Sequence, residues 1–464
     1  MSNKKQIKPS IFIRADASKE IGIGHIMRTL AFSNKAMDDG IEIYYLCYSL
    51  PNSLQKKLPK VIYLQKVDDA KEILDLAKTY NPFAIIIDSY SLNKEYELTL
   101  KKKTSATIVA YEDLDNEHNS DIVINPNIYA ISKKTNHLYG TKWAILRKEF
   151  KQGFHKNSNQ FTLTVTLGGS DEKNITYEII KYLKKWHIPF FANIILGATN
   201  PHKYKIFNSI KSRNDFKLHI NPKNFAELLA NADLVISASG QTTIEVLHLK
   251  KPSIAINVAE NQNKITQYLQ ENRLALTLES SKIKNFPRVL NRLYTFQNSY
   301  KTNNIQIGKQ SILKEIKRTH MKNFTLLLFN ESDCDELYYL ANEALIRKNS
   351  LNSDEISKEQ HKNWCDKKLN DKTQILIARS RSGIFLGYVR FENTISIALS
   401  KFARGLSFSK SLLKQSLKIT NKKIITAQIK HDNFASLHLF KSCRFIQIDK
   451  SADFVSMEYK NENR

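Results

Sequence analysis

Short apolar runs alternate with helix-like patterns through the first third of the chain. The runs predict strands at residues 11–16, 41–47, 83–89, 107–113 and 121–125. Several of these runs are apolar throughout, which is typical of parallel strands that are covered on both faces. Between them, residues 25–37 and 69–80 repeat apolar positions at helical spacing. The alternation predicts a doubly wound α/β domain.

The same pattern restarts after a polar stretch at residues 151–160. Further strands are predicted at residues 161–167, 191–196, 234–238 and 252–258. The second unit ends near His320. Two doubly wound units joined by a short linker predict an enzyme that binds its ligand in a cleft between them.

A different pattern begins near Phe324, where an opening strand leads into a helical region. It continues as strands at 374–378, 385–391 and 394–399, a helix at 409–418, a strand at 423–429 and a helix at 434–442. This order is α+β. The predicted fold class is therefore α/β, with two Rossmann-like domains (residues 1–155 and 156–322) followed by an α+β domain (residues 323–464). A length of 464 residues agrees with more than one hydrophobic core.

Cysteine usage and hydropathy bear on where the protein works. The four cysteines are far apart and form no Cys-x-x-Cys pair: Cys47, Cys334, Cys365 and Cys443. This spacing argues against a zinc site or a disulfide framework and is typical of a reducing cytosol. No run reaches the roughly 18 apolar residues of a membrane helix, and the basic N-terminus leads into a strand-like run rather than a signal-peptide core. We therefore expect a cytoplasmic protein without a membrane span.

The formal net charge of +26 makes nucleic acid one candidate partner. The lysines, however, are scattered through every segment, and the sequence contains no arginine-rich arm, zinc finger or RNA-stacking motif. We therefore expect no nucleic-acid partner. A positive field also attracts anionic substrates such as diphosphates and coenzyme A.

The most informative motif follows the first predicted strand, at the sheet edge where α/β proteins bind ligands. Gly22 and Gly24 allow a sharp turn, which places His25 at or near the start of a helix. The positive end of the helix dipole disfavours the imidazolium form, so the ring can accept a proton. An ordinary glycine turn with a helix-start histidine is the alternative interpretation. The expected substrate contacts at this turn are Arg14, Asp16, Gly24 and Arg28.

This motif resembles the opening of the UDP-2,4-diacetamido-2,4,6-trideoxy-altropyranose hydrolases of pseudaminic acid biosynthesis. The resemblance continues at Asp88-Ser89-Tyr90, Glu112-Asp113-Leu114, Asn125-Pro126-Asn127 and residues 143–150, and covers most of residues 11–320. Ser89 stands where the family often has histidine, and Glu112 where it often has aspartate. The resemblance implies that His25 activates water.

A second pair of turns suits a nucleotide diphosphate. Gly168, Gly169, Ser170 and Asp171 end one predicted strand, and residues 237–245 run from another strand into a helix. Backbone N–H groups, hydroxyls and a helix N-terminus can bind a diphosphate there, and Glu245 can accept both ribose hydroxyls. A set of ordinary strand-to-helix caps is the alternative. The expected substrate contacts here are Gly169, Ser170, Ser239, Gly240, Gln241, Thr242, Glu245 and Gln262.

These turns also resemble the C-terminal domain of the peptidoglycan GlcNAc-transferase and its relatives, which have the GT-B fold. That resemblance implies that residues 237–245 hold UDP and that Asn261 and Gln262 face the sugar. The expected reaction is an inverting, metal-independent hydrolysis of a UDP-linked amino-sugar that needs no cofactor, with His25 as the base. Tyr90 and Asn261 are expected to position water and sugar. No His/Asp cluster has convincing metal-ligand spacing.

Residues 324–464 resemble the GNAT acetyltransferases, especially the amino-sugar N-acetyltransferase of the same pathway. The resemblance implies acetyl-CoA as co-substrate, bound by Arg404, Gly405, Ser407, Ser409 and Asn433. Phe440 replaces a tyrosine that often protonates the coenzyme A thiolate, and Arg444 replaces a turn glycine. Active transferase and degenerate binding domain therefore both stay open.

Two rival functions also stay open at this point. One is a GT-B glycosyltransferase or UDP-sugar 2-epimerase that uses the same turns. The other is a basic nucleic-acid-binding protein. The junction at residues 320–324 shows no shared element, so we expect the α+β domain to be separable from the rest.

Overall fold

The computed structural model describes residues 8–461 apart from 19–20, 155–158, 170, 298–304, 351 and 372. The chain divides into two compact units. The first unit consists of Met1–Tyr111, Glu117–Ile122 and Ile312–Arg464, and the second of Glu112–Asn116 and Val123–Ser311. The three predicted domains, with boundaries after residues 155 and 322, stay a prediction.

The N-terminal part of the first unit is built on a parallel sheet. Its strands are β1 (Ser10–Ala15), β2 (Glu42–Cys47), β3 (Val61–Tyr63), β4 (Ala84–Asp88) and β5 (Thr107–Tyr111). They are adjacent in the order β3-β2-β1-β4-β5, and helices connect most of them: α1 (Gly24–Asp38), α2 (Asn52–Gln55), α3 (Ala70–Tyr80) and α4 (Lys94–Lys103). Every residue of β1, β4 and β5 is buried, because helices cover both faces of the sheet.

The second unit contains another parallel sheet of the same kind. After the short parallel pair β6 (Ile122–Asn125) and β7 (His137–Tyr139), the strands are β8 (Thr162–Thr166), β9 (Phe191–Leu196), β10 (Phe216–Ile220), β11 (Leu234–Ala238), β12 (Ser253–Asn257) and β13 (Leu276–Glu279). Their order is β10-β9-β8-β11-β12-β13. The helices are α5 (Ile175–Leu183), α6 (Lys203–Ile210), α7 (Phe225–Ala230), α8 (Gln241–His248), α9 (Asn263–Glu271) and α10 (Phe286–Phe296). The order reverses between β8 and β11, where doubly wound proteins bind ligands.

The C-terminal part of the first unit is antiparallel. One sheet has the order β14-β15-β16-β17, with strands β14 (Thr325–Leu328), β15 (Gln374–Arg379), β16 (Phe385–Phe391) and β17 (Ile395–Leu399). The other has the order β18-β20-β19, with strands β18 (Ile424–Lys430), β19 (Ile446–Lys450) and β20 (Phe454–Lys460). The helices are α11 (Ile312–Met321), α12 (Cys334–Ala341), α13 (Ala344–Asn349), α14 (Lys358–Asn370), α15 (Phe408–Ile419) and α16 (Phe434–Ser442).

The predicted fold class is confirmed: two parallel α/β sheets precede an α+β region with antiparallel sheets. Strands β9, β11 and β16 have the predicted bounds. Among the described residues, no helix is long and apolar enough to cross a bilayer.

The structure places a buried interface at the junction where the sequence shows no shared element, and the expected separability of the α+β region stays a prediction. His320, at the end of α11, is fully buried and contacts the N-terminal sheet and the β15–β16 turn at once. One ring nitrogen lies 3.3 Å from the Thr107 hydroxyl, and the other lies 2.9 Å from the Ser382 hydroxyl. Phe83 packs edge-to-face against Phe402 with the ring centres 5.0 Å apart. Sequence spacing cannot reveal this interface, because its partners lie hundreds of residues apart.

The cysteine prediction also needs correction. Cys334 and Cys365 form a disulfide that joins α12 to α14, with the Cα atoms 6.2 Å apart. Two neighbouring helices bring together residues that are 31 positions apart in sequence. Cys47 and Cys443 are free and buried.

The buried histidine predicts a pH-dependent stability. Burial, with a smaller effect of Arg381, lowers the pKa of His320 to about 3. The unfolded state has the ordinary pKa and takes up the proton first, so stability is complete above about pH 6.5 and falls as the pH drops below it. As the pH falls from about 7.5 to about 5.5, the free energy of unfolding should decrease by about 1.4 kcal/mol because of this residue.

Urea unfolding of wild type and His320→Gln at both pH values measures this loss. We expect the variant to lack this part of the pH dependence, whereas the surface variant His431→Gln keeps it. Equal pH dependence in wild type and His320→Gln would contradict the role assigned to the buried ring.

Candidate functional site

His25 lies in the first turn of α1, as the glycine motif predicts. β1 ends at Ala15, and the turn that follows is closed by a 3.0 Å hydrogen bond from the Gly22 N–H to the Ser18 carbonyl. Gly22 has φ +78°, a left-handed conformation that favours glycine. The turn therefore delivers His25 to the carboxyl edge of the first sheet.

The principal partner of His25 is Asp88, the last residue of β4. Strand β4 is adjacent to β1, which places Asp88 beside Ala15. The Asp88 carboxylate is fully buried and makes short hydrogen bonds with His25 Nδ1 and with the Arg28 guanidinium. A second bond joins Arg28 Nε to Asp88 Oδ2 at 2.5 Å. Burial alone would raise the pKa of Asp88, but Arg28 and His25 together lower it.

This pairing determines the proton arrangement of a neutral His25. The ionised Asp88 accepts from Nδ1, so Nδ1 carries the proton and Nε2 carries the lone pair. Asp88 was not among the predicted site residues, although the motif Asp88-Ser89-Tyr90 contributed to the family resemblance. The signal that could have identified it is its position at the end of the strand adjacent to β1.

Tyr90 lies against the histidine, and its role in positioning water and sugar stays a prediction. Its ring meets the His25 ring edge-to-face with the centres 4.5 Å apart, and 53% of its surface is exposed. Arg28 also lies over the Tyr111 ring at 5.0 Å. The structure therefore brings His25, Arg28 and Tyr90 together around Asp88.

Arg14 and Asp16 do not fit the substrate-contact role expected for them. Arg14 is fully buried and forms ion pairs of 2.6 Å with both Asp16 and Asp69. The other Asp16 oxygen accepts the N–H groups of Tyr48 and Ser49. Both residues therefore stabilise the loops behind the glycine turn.

The second-unit turn, which joins β11 to α8, has two buried hydroxyl groups without a visible hydrogen-bond partner in the described part of the chain. Ser237 lies in β11 and Ser239 directly follows it, and neither Oγ atom has a hydrogen-bond partner among the described residues. The N–H groups of Ser239 and Gly240 bond to the carbonyls of Ile256 and Ala238, so they are not the donors that the sequence analysis assumed. A buried polar atom without a partner favours a ligand or water at this position.

The first turn of α8 supplies the remaining donors. The helix begins at Gln241, and Thr242 follows at a half-buried position. The N–H groups of a first helical turn have no intrahelical acceptor and carry the positive end of the dipole. The anion-binding role of Gln241 and Thr242 stays a prediction, which these N–H groups favour.

Glu245 is already paired. It is buried in α8, and Arg147 bonds to both of its oxygens, from Nε at 2.9 Å and from a terminal nitrogen at 3.0 Å. Arg147 was not among the predicted site residues. These two residues are 98 positions apart, so only the folded structure shows the pair.

The other predicted residues of this unit lie on the loop after β8 and in a 3-10 helix at Glu260–Gln262. Gly169 is exposed and approaches Gly197 so closely that a Cβ on Gly197 would lie 2.4 Å from the Gly169 carbonyl oxygen. Ser170 lies outside the described residues. Asn261 is exposed, whereas the Gln262 side chain accepts the Val258 N–H at 3.1 Å.

Two of the residues expected to bind acetyl-CoA, Arg404 and Asn433, already make hydrogen bonds or ion pairs within the protein. Arg404 donates to the Leu399 carbonyl at 2.8 Å and pairs with Glu343 at 2.5 Å. Asn433 caps α16 by accepting the Ser436 N–H.

The serines of that loop lie around the start of α15. Gly405 has φ +69° and Ser407 has φ +60°. Ser407 precedes the first residue of α15, and Ser409 lies within its first turn. Phe440 is buried against Phe445 at 4.8 Å. The helix start is retained, whereas the arginine is held by protein groups.

Comparisons with known proteins agree with the resemblances seen in the motifs. The model of the glycosyltransferase family 28 C-terminal domain matches residues 162–319, which include the turn before α8. The chain is 28% identical over 268 residues to the UDP-2,4-diacetamido-2,4,6-trideoxy-beta-L-altropyranose hydrolase of Campylobacter jejuni. That alignment covers 56% of this chain and 95% of the relative.

Two solved structures are similar to different parts of the chain. MurG of Acinetobacter baumannii is 14% identical, with a TM-score of 0.47, and the match covers 64% of this chain and 92% of that chain. The spermidine N-acetyltransferase of Vibrio cholerae, solved with CoA and spermine, is 16% identical, with a TM-score of 0.28. The second match covers 30% of this chain and 95% of that chain.

The buried ion cluster around Arg14 predicts a large stability effect. Asp69→Ala removes one of the two carboxylates that neutralise the fully buried guanidinium, so we expect unfolding free energy to fall by about 3 kcal/mol. Asp75→Ala is the matched control, because it removes an exposed carboxylate from α3, the helix that Asp69 immediately precedes. Urea unfolding followed by circular dichroism compares the two. A loss no larger than that of Asp75→Ala would mean that Arg14 does not depend on Asp69.

Proposed function

We propose that this chain hydrolyses a UDP-linked 2,4-diacetamido-2,4,6-trideoxy sugar to the free sugar and UDP, in pseudaminic acid biosynthesis. The observation that carries the proposal is the pairing of His25 with the buried Asp88 at the glycine turn. The Campylobacter jejuni relative, whose name states this hydrolysis, supports the same reaction. The family 28 match supports a nucleotide site in the second unit.

In the proposed reaction, His25 Nε2 takes a proton from water while the water oxygen attacks the anomeric carbon. The bond between that carbon and the diphosphate oxygen breaks, and UDP leaves with the electron pair. Asp88 holds the ring and stabilises the imidazolium that forms. A single displacement of this kind inverts the anomeric centre.

The leaving group needs little acid help, because a diphosphate departs as a stabilised anion. The first turn of α8 and the unpartnered Ser237 and Ser239 hydroxyls are suited to its oxygens. These groups can stabilise the developing charge without a metal ion, so we propose a metal-independent reaction.

Exposed apolar side chains on the glycine turn and at the start of α1 support a deoxy-sugar substrate. Ile21, Ile23 and Met27 are all exposed although they are large and hydrophobic. A 6-deoxy sugar with two acetamido groups carries three methyl groups, which such side chains can cover. Scattered exposed hydrophobics are common in proteins, but two in the glycine turn and a third at the start of α1, beside a candidate base, favour a ligand surface.

The base and its partner predict different kinetic losses. His25→Asn should lower kcat by on the order of 10² or more while substrate binding persists, because the proton acceptor is lost. Asp88→Asn keeps the shape but no longer supplies a carboxylate for Nδ1, so kcat should also fall by on the order of 10². Turnover with UDP release and isothermal titration with UDP measure kcat and binding separately.

The variant Tyr63→Phe is a suitable control, because Tyr63 lies at the sheet edge in β3 and is exposed. Near-normal turnover in His25→Asn would contradict the assignment of the base.

We further propose that the α+β region binds acetyl-CoA and acetylates the amino-sugar before UDP is removed. The dipole at the start of α15 supports binding of the pyrophosphate. Acetylation of a UDP-amino-sugar and release of UDP are successive steps, which gives a reason for their fusion. The predicted cytoplasmic location stays a prediction.

The buried Phe440 predicts slow acetyl transfer, because it cannot donate a proton to the departing thiolate. Phe440→Tyr should therefore speed transfer by about tenfold, provided the hydroxyl reaches the sulfur. Release of free thiol from acetyl-CoA, with a UDP-linked diamino sugar as acceptor, measures the rate. Phe445→Tyr is the matched control at the neighbouring ring.

One experiment tests the whole assignment. The full chain is incubated with UDP-linked 2,4-diamino sugars, with and without acetyl-CoA, and the products are identified by mass. Free acetylated sugar plus UDP supports the proposal. Transfer of the sugar to another acceptor, or 2-epimerisation, supports the rival UDP-sugar enzymes. Binding to nucleic acid that weakens strongly as the salt concentration rises, without turnover, supports the nucleic-acid-binding rival.

A further inference from the structure

The ion pair of Glu245 with Arg147 differs from an ordinary surface ion pair, because its carboxylate is buried and bound at both oxygens. Glu245 is 3% exposed, and its carboxylate receives two parallel N–H bonds from one guanidinium. Burial raises the pKa of Glu245, and Arg147 opposes that effect by stabilising the ionised form. Arg147 thus keeps a buried carboxylate charged and fixes its plane.

Arg147 is itself held from several sides. Its guanidinium lies 5.0 Å from the centre of the Phe150 ring and 4.7 Å from that of Phe225. The nitrogen that does not contact Glu245 lies 3.1 Å from Glu149. All three guanidinium nitrogens therefore already face carboxylates, which leaves the group poorly suited to bind a phosphate directly.

The bidentate bond leaves each Glu245 oxygen with acceptor capacity, since a carboxylate has about four lone-pair sites. Two acceptors at the fixed spacing of one carboxylate match the two hydroxyls of a vicinal diol. Glu245 lies in α8, the helix whose first turn follows the unpartnered serine hydroxyls. A ribose attached to a diphosphate carries such a diol.

We propose that Arg147 is a positioning residue, which orients the Glu245 carboxylate to receive both ribose hydroxyls and makes the site selective for ribonucleotides. This inference rests on the proposed function, because it takes UDP as the ligand of the second-unit turn. Arg147 contributes through Glu245 and does not contact the nucleotide.

The test is the ratio of the dissociation constants of 2′-deoxy-UDP and UDP, measured by titration calorimetry on the full chain. Wild type should prefer UDP by about tenfold, because 2′-deoxy-UDP leaves one acceptor unpaired. Glu245→Ala should reduce the ratio to about one. Arg147→Met should also reduce it to within about twofold of one, because the carboxylate is no longer oriented.

Two further variants sharpen the comparison. Arg147→Lys keeps a positive charge beside Glu245 but cannot bind both of its oxygens in parallel. The ratio of the two dissociation constants should therefore lie between those of wild type and Arg147→Met. This lysine variant also covers the case in which the methionine variant does not fold. Arg213→Met removes an exposed arginine that pairs with Asp215 in the same unit, and it should keep the wild-type ratio.

The double variant Arg147→Met with Glu245→Ala should lose no more selectivity than Glu245→Ala alone, since both act on one contact. Equal weakening of UDP and 2′-deoxy-UDP in Arg147→Met, with the tenfold ratio retained, would overturn the positioning role. Absence of UDP binding to wild type would instead overturn the proposed nucleotide site.

Discussion

The Asp88 carboxylate is the group on which the candidate catalytic site depends. A fully buried ionised carboxylate is unfavourable unless charged partners replace its water, and His25 and Arg28 are those partners. Asp88 depends on His25 for its charge compensation, and His25 in turn depends on Asp88, because the carboxylate fixes the orientation of the imidazole. Strand β4 supplies Asp88 and helix α1 supplies the other two, so the geometry is set by rigid elements rather than by loops.

Ion pairs that neutralise buried groups recur in the molecule with different consequences. Arg14 is fully buried between two carboxylates and stabilises loops, whereas Arg147, whose side chain is 43% exposed, forms a bidentate pair with the buried Glu245 in the middle of α8. A charged residue near a strand end can therefore contact a ligand or support the residue that does, and only the contacts in the structure decide which.

The sequence predicted the buried strands of the parallel sheets well and missed several edge strands. Strands β9 and β11 were found with their bounds because mostly apolar runs mark buried strands. Of the missed strands, β3, β7, β10, β13 and β19 lie at sheet edges, where exposure breaks the apolar pattern, whereas β20 is the central strand of its antiparallel sheet and alternates buried with half-buried positions. In the site, the glycine turn was found because it is local. Asp88 and Arg147 were not assigned, because their roles depend on which strands and helices become neighbours.

The interface at His320 has a consequence for how the chain is made. The hydrogen bond from the Asn81 side chain to the Ser382 carbonyl joins residues 301 positions apart. A growing chain emerges from the ribosome N-terminus first. The surface at the start of β4 and β5 therefore stays uncovered until most of the chain has been translated. During that interval Phe83 lacks its Phe402 neighbour, at the opposite end of the strand that carries Asp88. The order of the elements along the chain therefore leaves this surface uncovered until the α+β region has been synthesised.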